Sequence, residues 1–465
     1  MDGDSKGIEM AKRTFMAVAL VVSTAGAAQA QNIVGDWQGT LKAGPTELRL
    51  ALHVVKGDDG GFKATLDSID QGANGIPVTT VSLKDSNLIF TVAAVRGSYE
   101  GKVNPDGMII DGTWSQNGAS LPLVLKRVKN VAELQQRRPQ NPVKPYPYRE
   151  EDVAYKNDAA GITLAATLTI PPGKGPFPAV LLITGSGPQD RDESVAGHRP
   201  FLVLADYLTR RGIIVLRADD RGVGKSGGNL AEATTADFAT DAEAGVAYLK
   251  TRPEADPRKI GLIGHSEGGV IAPMVAARNP AVAFIVMMAS TGVPGDEVIA
   301  AQSLLISQAG GMSREQAEKD ATEEREILAL VKQEKSDAVL EKKLREKLAG
   351  KVPQARIGMQ IKVMSAPWFR YFLAYDPAIA LKQVACPVLA VNGEKDLQVP
   401  PKQNVPAIRN ALEAAGNKHF EVEELPGLNH LFQTAKTGAP SEYGQIEETM
   451  SPVALERIAR WVLRQ

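Results

Sequence analysis

The run Gly264-His265-Ser266-Glu267-Gly268 sets a serine between two glycines, directly after the apolar segment KIGLI and directly before a helix-like segment, GVIAPMVAA. Small residues on both sides of a serine let the backbone cross closely at a sharp strand-to-helix turn, which leaves Oγ exposed above a sheet. That hydroxyl becomes a nucleophile only when a base takes its proton. Five histidines are present. His53 falls among early alternating runs, His265 is fixed beside Ser266 on the other side of the turn, and His419 falls inside the alternating run HFEVEEL. His198, in a loop after GPQDRDESVAG, is a weak competitor. His430, in LPGLNHLF after the last strand pattern, is placed to swing over the serine. The acid that orients its second nitrogen is expected to be Asp396 in NGEKD, just past the apolar run PVLAV, with Glu394 as runner-up.

A tetrahedral intermediate formed on Ser266 needs two donors for its oxyanion. One is the backbone N–H of Glu267; its side chain is not required for that role. The second is expected from the turn after FPAVLLITGSG, at the Ser186 amide, with Gly187 as a substitute. The following PQDRDE places Asp190, Arg191, Asp192 and Glu193 near the mouth of the site, read as a mutually paired loop more than as a subsite. The stretch DDRGVGKSGG contains GKS, but a phosphate-binding loop needs glycine five positions before the glycine of GKS, and Asp219 stands there. Asp220 to Ser226 is therefore read as a structural loop.

These groups need elements to hold them. Strand-like runs DVAYKND, ITLAATLTI, FPAVLLI, GIIVLRA, KIGLIGH, AFIVMMA, PVLAV and HFEVEEL alternate with helical stretches at 200–211, 234–250 and 452–463. Continuous apolar strands separated by amphipathic helices imply a mostly parallel, doubly wound sheet covered on both faces, over residues 150–465. Residues 292–381 interrupt the alternation with charged, helix-favouring sequence and read as an inserted helical cap. Within it PWFRYFLAYDP offers Trp368, Phe369, Tyr371, Phe372 and Tyr375, either as walls of an acyl pocket or as core. Residues 31–128 carry short alternating runs with turn clusters such as KGDDGG and NPDG, the pattern of an antiparallel barrel or sandwich of about eight strands. Gly35, Asp36 and Trp37 resemble the GxW opening of lipocalin-like barrels. Residues 129–149, with four prolines and no alternation, read as a semi-rigid linker. From Met10, two cations, the apolar stretch Phe15 to Val22 and small residues ending at Ala30 form an export signal, so residues 1–30 are expected to be removed and the protein to be periplasmic or extracellular. Residues 1–9 are polar and acidic, unlike the start of such a signal.

Composition narrows the partners. Apolar residues make up 43% and charged residues 23%, near the soluble average. With 53 basic against 54 acidic side chains there is no long-range field to draw nucleic acid or an anionic membrane. The single cysteine, Cys386, can form neither an internal disulfide nor a cysteine-based zinc site, and is expected in the core.

Taken together, TGSGPQDRDE, DDRGVGKS, GHSEGG, PWFRYFLAYDP, NGEKD and PGLNH resemble the bacterial α/β-hydrolase carboxylesterases that carry an N-terminal β domain, a group related to serine aminopeptidase-like hydrolases. The order Ser266, Asp396, His430 is the order of that fold. The resemblance covers about 300 residues, from Glu150 onward. It implies an α/β-hydrolase fold and hydrolysis of short-chain acyl esters, small molecules, without a cofactor or metal. Thr184 departs from the histidine that many relatives carry at the first position of the oxyanion turn. Aminopeptidase and lactonase activity remain alternatives on the same fold. A secreted binding protein with a retired hydrolase domain is the non-enzymatic one.

Overall fold

A computed structural model describes residues 32–43, 46–58, 60–71, 73–116, 118–129 and 137–465. The expected export signal, and residues 130–136 of the expected linker, lie outside these.

The first sheet contains nine strands: β1 (Gly35–Ala43), β2 (Thr46–Lys56), β3 (Phe62–Ser68), β4 (Ala73–Pro77), β5 (Thr80–Lys84), β6 (Asn87–Val92), β7 (Gly97–Val103), β8 (Ile109–Gln116) and β9 (Ala119–Val128). Their order is β4-β3-β2-β1-β9-β8-β7-β6-β5, with antiparallel neighbours throughout. The sheet curls, and a hydrogen bond from Val78 N–H to the Ala64 carbonyl (3.1 Å) extends the β3–β4 ladder at its edge. Alternation puts one side of each strand inside: in β7, Gly97, Tyr99, Gly101 and Val103 are buried while Glu100 and Lys102 face water. The interior is filled by Trp37, Phe90, Tyr99 and Trp114 with surrounding leucines and isoleucines. Gly97 has no room for a side chain, because a Cβ there would stand 2.1 Å from the Trp114 ring. Trp37 donates to the Ile33 carbonyl (2.9 Å), and the Arg127 guanidinium lies over its ring at 4.4 Å.

The second sheet contains β10 (Arg149–Asn157), β11 (Ile162–Ile170), β12 (Phe177–Ile183), β13 (Ile214–Ala218), β14 (Ala255–His265), β15 (Phe284–Met288), β16 (Val388–Gly393) and β17 (Phe420–Leu425), in the order β10-β11-β13-β12-β14-β15-β16-β17. Only β11 runs against the rest, antiparallel to both β10 and β13. Strand residues alternate between two cores. Leu181 and Leu262 face α2 (Thr235–Thr251) and α3 (Glu267–Ala276), whereas Val180, Leu182 and Ile263 face α1 (Pro200–Thr209) and the C-terminal helix 452–462. This is the α/β-hydrolase arrangement. Between β15 and β16 the cap contributes α4 (Gly295–Ala309), α5 (Arg314–Gln333), α6 (Asp337–Leu348), α7 (Gln354–Met364), α8 (Pro367–Ala374) and α9 (Ala378–Leu381). It has its own small core around Leu328, Leu344, Ile357 and Leu373.

Three sequence expectations change. His419 lies just before β17 and is exposed, because the strand starts only at Phe420. A further helix, α10 (Pro401–Ala414), separates β16 from β17; its internal Pro406 obscured the helical pattern. The described part of the linker is fastened down: Arg138 donates to the carbonyls of Ala196, Gly197, Gly444 and Ile446, and Gln140 bonds the backbone of Thr449 and Met450. Tyr148 OH donates to Asp206 (2.9 Å). Cys386 is partly buried against the larger core, and burial pushes its thiol up to about 11. Among the described residues no helix is long and apolar enough to cross a membrane.

Candidate active site

Ser266 sits at the junction of β14 and α3 with φ 52° and ψ −114°, a strained conformation that only a tight surrounding structure maintains. Its N–H is held by the Met288 carbonyl of β15 (2.8 Å). Parallel strands deliver the other groups to the same carboxyl edge of the sheet, where loops can converge on one point. The loop after β16 brings Asp396, the loop after β17 brings His430, and the turn after β12 brings Ser186.

His430 Nδ1 lies 2.8 Å from Asp396 Oδ2. Asp396 is 1% exposed, and its other oxygen accepts the N–H groups of Gln398 (2.9 Å) and Val399 (2.8 Å), which fix the carboxylate and complete its solvation. Glu394 is directed elsewhere, accepting the Gly427 N–H (2.8 Å). His198 is fully buried between Thr449, Tyr443 and Gln433, and burial, reinforced by Arg138, pushes its imidazole down to about 4. It braces the chain and faces no cavity with Ser266.

Ser266, His430, Ser186 and Glu267 line one cavity of about 430 Å³ beneath the cap. The Glu267 amide is the first of α3, where the helix supplies no acceptor and its dipole favours negative charge. Gly185 cannot share this role, since its N–H is taken by Glu193 Oε1 (2.7 Å). The Thr184 hydroxyl, where relatives carry histidine, donates to Asp220 (2.7 Å) and fixes the turn from behind. Burial pushes the Asp220 carboxyl up to about 7, with the charges of Glu193 and Glu267 adding to the effect.

Of the expected aromatic wall, Trp368 and Phe372 line the cavity, stacked on each other at 5.5 Å. Phe369, Tyr371 and Tyr375 do not. One helical turn separates 368 from 372 and puts them on one face of α8. Phe369 turns into the cap core, while Tyr371 and Tyr375 stack together (5.5 Å) against the sheet's helices. The remaining wall comes from α4, through Val298, Ile299 and Ile306. Trp368 Nε1 also donates to the Glu267 carboxyl (2.8 Å), which takes a second bond from Thr235 (2.7 Å) and is driven toward its neutral form by burial. The Glu267 side chain thus fastens the cap to the nucleophile turn.

Glu324 of α5 was hidden in the charged cap sequence. It lines the same cavity, and its Oε2 is buried without a hydrogen-bond partner. Nothing in REQAEKDATEEREILALVKQEK distinguishes it from the solvent-facing glutamates around it.

The PQDRDE loop is paired within itself and with its neighbours. Arg191 forks onto Asp219 (2.9 and 2.6 Å), Asp192 meets Arg199 and Arg217, and Asp190 accepts from the backbone of Asp192 and Ser194. Asp219 also accepts the Lys225 N–H, and the Ser226 hydroxyl donates to the Asp219 carbonyl, so the GKS stretch closes on its own strand. Among the described residues no group of three or more His, Cys, Asp or Glu side chains could hold a metal ion.

The chain is similar to several known proteins. An esterase of Thermotoga maritima, EstD, is 28% identical over 328 residues, 69% of either chain. An uncharacterised 31.7 kDa Escherichia coli protein from the traX-finO intergenic region is 28% identical over 266 residues, 56% of this chain and 86% of its own. Among solved structures, a Pyrococcus furiosus esterase superposes with a TM-score of 0.43 at 17% identity, over 68% of this chain and 90% of its own. The model of the X-Pro dipeptidyl-peptidase (S15) family matches residues 160–425, more than half of the sequence and most of the hydrolase domain, and the chain belongs to that family.

Proposed function

We propose that this serine hydrolase is an exported carboxylesterase that cleaves short-chain acyl esters through an acyl-enzyme on Ser266. The observation that carries the reading is the single cavity shared by Ser266, His430, Ser186 and the first amide of α3, with Asp396 bonded to the far nitrogen of His430. Neutral His430 takes the serine proton as Oγ attacks the ester carbonyl. The amides of Glu267 and Ser186 receive the negative charge that develops on the carbonyl oxygen. The same imidazole, now protonated and held by Asp396, gives its proton to the departing alcohol, and water repeats the sequence on the acyl-enzyme. A volume of about 430 Å³ walled by Trp368, Phe372, Val298 and Ile306 suits a small apolar acyl group.

Glu324 favours a second reading. A buried carboxyl oxygen without a partner is a site for a cation, and the amino terminus of a peptide supplies one. The family's description points the same way. Turnover of p-nitrophenyl esters of increasing acyl length, beside aminoacyl and X-Pro p-nitroanilides, separates the two. Ester hydrolysis that Ser266→Ala lowers by several orders of magnitude while the protein stays folded supports the mechanism. Wild-type-like turnover in that variant rejects it. Export rests on the pattern of residues 10–30 and is checked by cell fractionation and the mature N-terminus.

A further inference from the structure

Directly behind the nucleophile a second histidine is held from both sides. His265, buried at the end of β14, has Nδ1 2.9 Å from Glu193 Oε1 and Nε2 2.9 Å from the backbone carbonyl of His430. The same Oε1 accepts the Gly185 N–H at 2.7 Å. A carbonyl oxygen can only accept, so Nε2 carries a proton. The Nδ1–Oε1 contact then holds one further proton, carried on Nδ1 when Glu193 is a carboxylate, as the charge of Glu193 favours. Once the pair has lost that proton, the neutral imidazole has one N–H and, beside a carboxylate, can hold either Glu193 or the His430 carbonyl, not both.

We propose that Glu193 and His265 form a positioning pair that fastens the oxyanion turn to the loop carrying the base, so that turnover fails at alkaline pH when the pair gives up its extra proton. The proposal rests on the esterase reading above. Neither side chain lines the catalytic cavity, so each acts through a neighbour: Glu193 through Gly185, next to Ser186, and His265 through the His430 peptide. The turn is packed close, since a Cβ on Gly185 would stand 3.2 Å from Glu193 Oε1 and 3.3 Å from Ser266 Cβ. The charged and titratable groups that act on His265 are Glu193 from the loop after β12, Asp396 from the loop after β16, and His430, whose ring centroid lies 4.8 Å away. Asp220, beyond β13, and Glu267, on α3, complete the set of acids behind the turn. Burial by itself favours the neutral imidazole, but the charge and hydrogen bond of Glu193, the His430 carbonyl and Asp396 outweigh it and raise His265 above its ordinary value.

The experiment measures kcat and KM for p-nitrophenyl acetate against pH, for the full chain and for Glu193→Gln. The amide oxygen of glutamine still accepts the Gly185 N–H but withdraws the charge that keeps His265 protonated. The alkaline fall in kcat should therefore move to lower pH by about one unit or more, with the plateau below it retained and KM unchanged. A purely structural contribution would lower kcat by one factor at every pH; that result, or a fall that does not move, overturns the proposal. If Glu193→Gln does not fold, histidine-selective ¹⁵N labelling decides. His53, between Asp36 (2.8 Å) and Asp67 (3.0 Å), is removed by His53→Gln to leave four histidines. One remaining imidazole with both nitrogens protonated at pH 7.5 supports the pair. None so protonated overturns it. The labelling needs no turnover, so a failed esterase reading and a failed positioning pair give different results.

Discussion

Replacing Gly264 by alanine tests the packing that creates the exposed serine. A Cβ at that position would stand 1.9 Å from the carbonyl oxygen of Gly268 and 2.1 Å from its carbon. Ordinary carbon–oxygen contact begins at about 3.3 Å, so the gap has to widen by about 1.4 Å. Both obstacles are backbone of Gly268 in the first turn of α3, facing Gly264 in β14, and no rotamer change relieves them. Ser266 and the Glu267 amide lie between these points, so the displacement passes directly to the nucleophile and the oxyanion donor. A misplacement of about 1 Å costs on the order of 10²-fold in rate, and overpacking of this kind destabilises by about 3 kcal/mol or more. Gly264→Ala should therefore lose at least about 10²-fold in kcat/KM, counted per active site by the acyl burst, together with a clear drop in urea midpoint. Gly269→Ala is the control. Its Cβ would meet the Ser290 side chain at 2.5 and 2.7 Å, and pairing it with Ser290→Gly should restore most of the loss. Parental activity and midpoint in Gly264→Ala would refute the packing argument.

Asp396→Asn should lower kcat/KM steeply, since a serine protease loses on the order of 10⁴-fold from the same change; Glu394→Gln, whose carboxyl braces Gly427, should stay near parental, and the reverse ranking would mean the wrong acid has been named. Asp220 has a folded value of about 7 against 3.8, so the folded state holds the proton more tightly and stability falls as pH rises from about 4 to about 7. Three pH units at about 1.4 kcal/mol each give a loss on the order of 4 kcal/mol; Asp220→Asn should flatten that slope in urea unfolding at pH 4.5 and pH 8, and an unchanged slope would remove Asp220 as its cause. Trp368→Phe strips one donor from the buried Glu267 carboxyl and should cost about 1–3 kcal/mol, read by thermal unfolding; a change below experimental error would show that the bond does not hold the cap.

The convergence of Ser266, Asp396 and His430 was legible because each follows a strand pattern, and parallel strands bring their carboxyl ends to one edge. GHSEG, NGEKD and PGLNH could therefore be placed on that edge before any contact was known. The place of the turn carrying Ser186 was legible for the same reason, whereas the engagement of the Gly185 N–H by Glu193 is something no spacing predicts. The aromatic run 368–375 was only half informative. Its composition said nothing about which face of α8 meets the cavity, and that face is set by how the helix packs on Glu267 and α4. Glu324 was illegible, because a buried glutamate and a solvated one look alike inside an amphipathic charged helix. The His265 contacts were equally hidden, since they join residues 193 and 430, from two separate loops, to the end of β14. The β domain was readable by its alternation, whereas β4 (ANGIP), with a glycine and a proline in a short strand, carries no such pattern.

The clamp made by Arg138 and Gln140 bears on where the polypeptide can be divided. Secondary structure alone would start an independent hydrolase at Arg149, the first residue of β10. That cut discards the side chains that cap the carbonyls of residues 196, 197, 444 and 446 and tie down 449 and 450, next to the Thr449 hydroxyl that supports His198. A shortened or transplanted enzyme keeps its own seam only if the first dozen residues ahead of β10 travel with it. In evolutionary terms the unit of exchange is then longer than the folded sheet: the strap belongs to the hydrolase, even though its sequence reads as a tether to its neighbour.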